Sequence, residues 1–338
     1  MEEAIERRFE LATFSICVAM TAALPVILYA RRLETENFSN APAIYFGGLF
    51  FTIALFYRVI RPDPPVAGVF LALGHKLWAV FIVGALTTAG AGWRLPFIDA
   101  DLMSIDHALG FDATLFSARR GSISGAGQIL WIVYWITMVT VSAVIITLFV
   151  SGRRRRGAAV TFLFVATLFC AGLIGILLPA QGALVYQPLA SEAATGLPPG
   201  AGVWYWAEFQ HSRSEAEKVL DFLNLATVVT FPSFHVCMIL IIAWGAYPFR
   251  RLRWPLAIFS VLTLLSIFPM GGHYLADAIG AVVVTALALA AARKLDGYAG
   301  APLMLRRAII PAGPFGLPAP AAGDAGGLSF PPAADRSI

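Results

Sequence analysis

Eight long apolar runs, separated for the most part by short basic loops, constrain this chain more than any other feature. They fall at roughly 11–30, 42–58, 66–90, 127–150, 158–179, 232–249, 254–272 and 273–293. A helix needs about 20 apolar residues to cross a bilayer. In hydrocarbon every backbone N–H and C=O must be paired within the protein, so runs of this length read as spanning helices. The chain has 338 residues, 59% hydrophobic and 13% charged, with mean hydropathy +0.76. That is more apolar surface than a water-soluble domain can bury. We expect an all-α polytopic membrane bundle of about eight helices. It divides into an N-terminal transmembrane hairpin (1–65), a six-helix core (66–295) and a cytoplasmic tail (296–338), rich in Pro, Gly and Ala and disordered from about 311. His75 and Lys76 interrupt the third run and read as its cytoplasmic interfacial start, with Lys76 snorkelling.

Charge orients the runs. Arg7/Arg8, Arg58/Arg61, Arg153 to Arg156, Arg250/Arg251/Arg253 and Arg293/Lys294 fall at alternate ends of the proposed spans. By the positive-inside rule those loops are cytoplasmic, as are both termini. The net charge of +4 is then a topology signal and a contact for anionic lipid headgroups, and no nucleic-acid partner is expected. The N-terminus lacks a small-residue cleavage site, so the first helix is expected to remain as an anchor, in a bacterial plasma membrane. Cys17, Cys170 and Cys237 lie in apolar runs and read as packing residues.

Two long stretches, about 91–126 and 180–231, fall on the non-cytoplasmic side. Their mixture of aromatic and polar residues suits segments lying along a membrane surface. Trp204-Tyr205-Trp206 reads as an interfacial anchor. Asp106, His107 and Asp112 read as structural groups of a short amphipathic helix.

Against this apolar background a few ionisable residues stand out, and such residues in membrane segments are kept mainly for function. His273 stands four residues before Asp277, a spacing that puts both on one face if the segment is helical. The carboxylate then holds one imidazole nitrogen and leaves the other free as a nucleophile or base. His235 opens the sixth run, on the same side of the membrane. The three together suit phosphoryl transfer: His273 attacks phosphorus, Asp277 supports it, and His235 protonates the leaving alkoxide. Pro232 suits a first helical turn, which would aim Ser233 and nearby N–H groups at the phosphate. Two other readings stay open: a metal hydrolase with the same three residues as ligands, and a proton-relay transporter. No His-Glu-x-x-His pattern supports the first, and no inverted repeat supports the second. No metal or cofactor is expected.

Pro232-Ser233-Phe234-His235 and His273-Tyr274-Leu275-Ala276-Asp277 resemble the second and third signature motifs of the type 2 phosphatidic acid phosphatase superfamily, over roughly 66–293. The resemblance implies a six-helix membrane enzyme in which His273 is the nucleophile, Asp277 its support and His235 the acid. Two departures matter. The first family motif carries a lysine and an Arg-Pro pair, yet Leu178-Pro179-Ala180-Gln181-Gly182-Ala183 holds no basic residue. The third motif carries Ser-Arg before its histidine, yet here the pair is Ser266 and Ile267. With Ile105-Asp106-His107-Ala108-Leu109-Gly110 upstream, this pattern is similar to the aureobasidin-resistance (inositolphosphorylceramide synthase) branch. That likeness implies transfer of an inositol-phosphate-like headgroup from a phospholipid to a lipid acceptor alcohol. Hydrolysis of a phosphatidic-acid or polyprenyl-phosphate type substrate by water is the alternative. A diester carries one charge where a monoester dianion carries two, so losing two cationic ligands suits a diester. Arg213 and Lys218, or Arg119 and Arg120, are expected to supply replacement charge, and Gln181 and Tyr186 neutral donors.

Overall fold

The computed structural model describes residues 2–121, 123, 125–190, 196–214, 218–225 and 230–297. The expected disordered tail lies, from residue 298 on, outside the described residues. Twelve labelled helices run in chain order: α1 (Glu2–Arg31), α2 (Pro42–Val59), α3 (Pro64–Ala91), α4 (Asp99–Ala108), α5 (Ala113–Gly121), α6 (Ala126–Val150), α7 (Arg154–Leu177), α8 (Ala183–Tyr186), α9 (Trp206–Ser212), α10 (Phe234–Ala246), α11 (Arg250–Gly271) and α12 (Leu275–Leu295). Local chemistry sets several starts. Pro42 and Pro64 occupy first turns, where a missing N–H costs nothing, and the Asp63 carboxylate caps α3 by accepting from Val66 N at 3.2 Å.

All eight predicted runs are helical, but only seven of these helices are long and apolar enough to cross a membrane. The exception is α10. Its thirteen residues span only about 20 Å. A short helix is tolerated there because protein, not lipid, surrounds it: Val236 to Ile239, Ile241, Ile242 and Trp244 to Ala246 are buried. At its C-terminal end the Arg156 guanidinium donates to the Gly245 carbonyl at 3.3 Å and to the Trp244 carbonyl, and lies 4.1 Å from the Trp244 ring centroid. Helix α7 is apolar on every side and is buried continuously from Gly157 to Leu168, packed by α1, α3, α6, α10 and α12.

The ion pairs gather the basic loops at one end of the bundle. Arg154 pairs with Glu6 at 2.8 Å, Arg155 Nε donates to Asp296 at 2.7 Å, and Arg58 meets Glu10 at 2.8 Å. These contacts join the starts of α1 and α7 to the ends of α2 and α12. At the opposite end β1 (Glu34–Glu36) pairs in parallel with β2 (Val219–Asp221), with Glu34 opposite Val219. The loop after α1 and the second long stretch therefore meet, as the alternation of charge requires.

One expectation is corrected. Lys76 does not begin the third span. The proline pair at Pro64 and Pro65 starts it, and Lys76 sits about 18 Å further along α3 at 1.5 Å per residue. Its ammonium lies 5.1 Å from the Phe164 ring centroid. His75 is buried, with the Phe14 and Phe51 rings edge-on at 6.4 and 5.4 Å.

Removing Arg156 leaves two carbonyls at the end of α10 without their donor. We expect Arg156→Ala to cost about 1–3 kcal/mol of stability, read as a lowered thermal midpoint in detergent. Arg156→Lys should restore only part of it, because an ammonium lacks the planar fork.

Candidate active site

The turn between α11 and α12 carries His273. Helix α11 ends at Gly271, and Gly272 follows with φ 65°, a left-handed conformation that glycine adopts without strain. The Gly272 N–H donates to Phe268 O at 3.1 Å and the His273 N–H to Ile267 O at 3.3 Å, closing the helix end. Tyr274 is extended and serves as N-cap of α12. His273 thus precedes the helix, and its partner Asp277 sits at the third helical position. The expected shared helix face is replaced by a helix-entry geometry, because the left-handed glycine ends α11 just before the histidine.

The pair itself forms. His273 Nδ1 lies 2.9 Å from Asp277 Oδ2, and the same oxygen accepts the Tyr274 N–H at 2.9 Å. Both side chains are buried. Pairing with the carboxylate places the imidazole proton on Nδ1 and leaves Nε2 with a free lone pair.

Two further carboxylates hold this turn. Asp99, Leu102 and Asp106 stand at i, i+3 and i+7 on α4 and form its buried stripe. Asp106 accepts the Leu275 and Ala276 N–H groups, each at 2.8 Å. Asp99 accepts the Tyr274 hydroxyl at 3.1 Å and the N–H groups of Gln181 and Gly182, at 2.8 and 3.0 Å. Burial raises both carboxyls above the ordinary aspartate value, against the opposing pull of these donors. Tyr205 donates to Gln181 O at 2.7 Å, and Ala183 N to Gly272 O at 2.6 Å. The loop after α7 is thereby tied to the histidine turn.

His273 and His235 line one cavity of about 270 Å³, with Tyr134, Trp135, Met138, Val80, Leu168, Trp204, Tyr205, Thr230, Phe234, Met238 and Gly271. Among the described residues no lysine or arginine lines it. At the position of the family's missing arginine, Ile267 is fully buried. His235 stacks on Tyr134, centroids 3.8 Å apart and planes 19° apart. A Cβ on Gly271 would fall 2.5 Å from His273 Cδ2 and 2.9 Å from Nε2, so the imidazole occupies space that only glycine leaves open.

The other sequence-predicted residues lie elsewhere. Pro232 precedes the N-cap of α10 instead of opening its first turn, and Ser233 is that N-cap. Ser233 is fully buried and does not line the cavity; its N–H donates to the Asp277 carbonyl at 3.1 Å. Among the described residues neither Ser233 Oγ nor Asp277 Oδ1 has a hydrogen-bond partner. Gln181 contributes backbone groups to the Asp99 and Tyr205 contacts, and neither it nor Tyr186 lines the cavity. Arg213 lies 4.2 Å from the Phe97 ring centroid and donates to Leu95 O at 3.0 Å. Lys218 is exposed beside β2, where its carbonyl accepts Glu34 N. Arg119 lies on α5, away from the cavity lining, and the Arg120 side chain lies outside the described residues.

Asp106 is a buried cap on α12 instead of a surface group; His107 is exposed, Asp112 is half-buried, and the two lie 4.0 Å apart. Asp99, Tyr134 and Tyr205 were missed. The stripe on α4 was a usable signal for Asp99. A tyrosine within an apolar run carries none. In the Trp-Tyr-Trp cluster, Trp204 is partly exposed as an anchor would be, whereas Tyr205 is buried.

A family model described as PAP2 superfamily matches residues 100–291. No curated protein and no solved structure matches the chain.

Two substitutions test this geometry. Asp106→Ala leaves the Leu275 and Ala276 N–H groups unpaired, and we expect a loss of about 0.5–2 kcal/mol in detergent unfolding, the range for a lost N-cap. Gly271→Ala forces the His273 ring aside. Turnover should fall about 10²-fold, the scale of an ångström-sized misplacement, while circular dichroism stays unchanged.

Proposed function

The chain belongs to the PAP2 superfamily, and from that premise we propose that it moves a phospho-headgroup between lipids through a phosphohistidine. Membership supports a phosphatase- or phosphotransferase-type activity on lipid phosphates. The observation that carries the finer reading is the cavity lining: two histidines, one of them held by Asp277, and no lysine or arginine among the described residues. A monoester dianion brings two charges into such a site, and a diester brings one. Burying charge without fixed counter-charge is costly, so the diester is favoured. The largely apolar walls also favour an alcohol of a second lipid over water as the acceptor. An inositol-phosphate-like headgroup is the expectation from the resemblance to the aureobasidin-resistance branch.

In the first step His273 Nε2 attacks phosphorus and the bond to the donor lipid's alkoxide breaks. His235 gives that alkoxide its proton. Asp277 keeps the Nδ1 proton in place and balances the positive charge on the imidazole. In the second step His235 takes the proton of the acceptor hydroxyl, whose oxygen attacks the phosphohistidine. His273 is released and a new phosphodiester forms. Positive-inside orientation puts this chemistry on the non-cytoplasmic side, with the basic end of the bundle in the cytoplasm.

The test is to incubate purified protein with labelled phosphatidylinositol and a ceramide or diacylglycerol acceptor, and separately with phosphatidic acid. Transfer of label to the acceptor is expected. Release of free phosphate from phosphatidic acid alone would overturn the transferase reading in favour of hydrolysis. His273→Ala should abolish turnover. Asp277→Asn should cost at least about 10²-fold, because an amide donating to Nδ1 moves the imidazole proton onto the attacking nitrogen. Retained turnover in His273→Ala would remove the phosphohistidine altogether.

A further inference from the structure

His273 has a carboxylate to orient it. Asp277 is committed to that task, and the described residues give His235 no carboxylate of its own. Besides a hydrogen bond from the imidazole to the Tyr134 backbone carbonyl, the feature that engages His235 is an aromatic face. Tyr134 of α6 stacks on the imidazole at 3.8 Å and 19°, a near-parallel contact over the whole ring. Tyr134 is itself held. It is 4% exposed, packs with Leu130 and Met270, and meets Trp135 edge-on at 5.7 Å and 86°. Both stacked rings line the cavity.

We propose that Tyr134 is the positioning residue of His235, fixing the plane of the acid-base imidazole and facing the charge it carries while protonated. The proposal rests on His235 being the acid and base of the reaction above. Stacking opposes rotation about the Cβ–Cγ bond, which would turn the imidazole out of its plane and displace its nitrogens. The π-face is negatively polarised and attracts a cation above it. In a cavity with no other fixed charge among its described lining residues, that face adds to the Tyr134 carbonyl in stabilising an imidazolium. Both effects belong to the aromatic ring and not to the hydroxyl.

The experiment uses two labelled phosphodiesters on full-length protein in detergent, one with a lipid alkoxide leaving group and one with a nitrophenolate leaving group that departs without a proton. His235→Ala sets the scale for losing the acid: a loss of about 10²–10⁴-fold in the single-turnover rate of leaving-group release from the alkoxide substrate and little from the nitrophenyl one. Tyr134→Leu is expected to lose at least tenfold in that single-turnover rate on the alkoxide substrate, with the half-saturating concentration within about twofold, and little on the nitrophenyl substrate, by the same reasoning. Tyr134→Phe keeps the face and should stay near the parent activity on both. Tyr134→Met, also without a ring, replaces the leucine variant if that one does not fold. An equal loss on both substrates, no loss on either, or a phenylalanine variant as poor as leucine would each overturn the role of the ring. If His235→Ala also shows no leaving-group dependence, the acid-base reading itself fails; if His235→Ala shows it and Tyr134→Leu does not, only the Tyr134 proposal falls.

Discussion

The backbone N–H groups that open α12 are the constraint on which the site depends. A helix leaves its first donors without intrahelical partners, and each one buried without a partner costs stability. Here three successive donors, on Tyr274, Leu275 and Ala276, are taken by carboxylates of Asp277 and Asp106. Asp277 Oδ2 accepts the Tyr274 N–H and meets His273 Nδ1 as well. The start of the helix and the orientation of the imidazole are therefore one arrangement, and moving either moves the other.

Charge is distributed to match. Arginines collect at the end of the bundle where α1 and α7 begin, and pair there with Glu6, Glu10 and Asp296. The buried aspartates Asp99 and Asp106 surround the histidine turn. Between them the cavity carries only its two histidines as ionisable nitrogen groups among the described residues. An anion bound there depends on proton positions and neutral donors, which limits how much negative charge it can bring.

The sequence-based reading succeeded where one quantity dominates. Apolar length determines helices, and all eight were placed within a few residues at most ends of the long ones. Composition says less at α10, because ten or more apolar residues look alike whether lipid or protein surrounds them. Lys76 shows the same limit: a cation in an apolar run reads as an interface residue until packing shows an aromatic ring beside it. The His273–Asp277 pair was legible from its spacing, although the physical cause differs. A four-residue separation serves a histidine before the N-cap as well as one on a helix face.

The sequence by itself determined the membrane class, the helical segments, the alternation of their basic ends and the histidine–aspartate pair. Each of these follows from local composition or from residues within one turn of each other. Only the tertiary structure decided that Asp106 caps α12 from 169 and 170 positions away. It alone showed that Tyr134 covers His235, and that Arg213 spends its guanidinium on Phe97. These contacts join helices distant in the chain, and no period or spacing within one segment encodes which partner packing will bring.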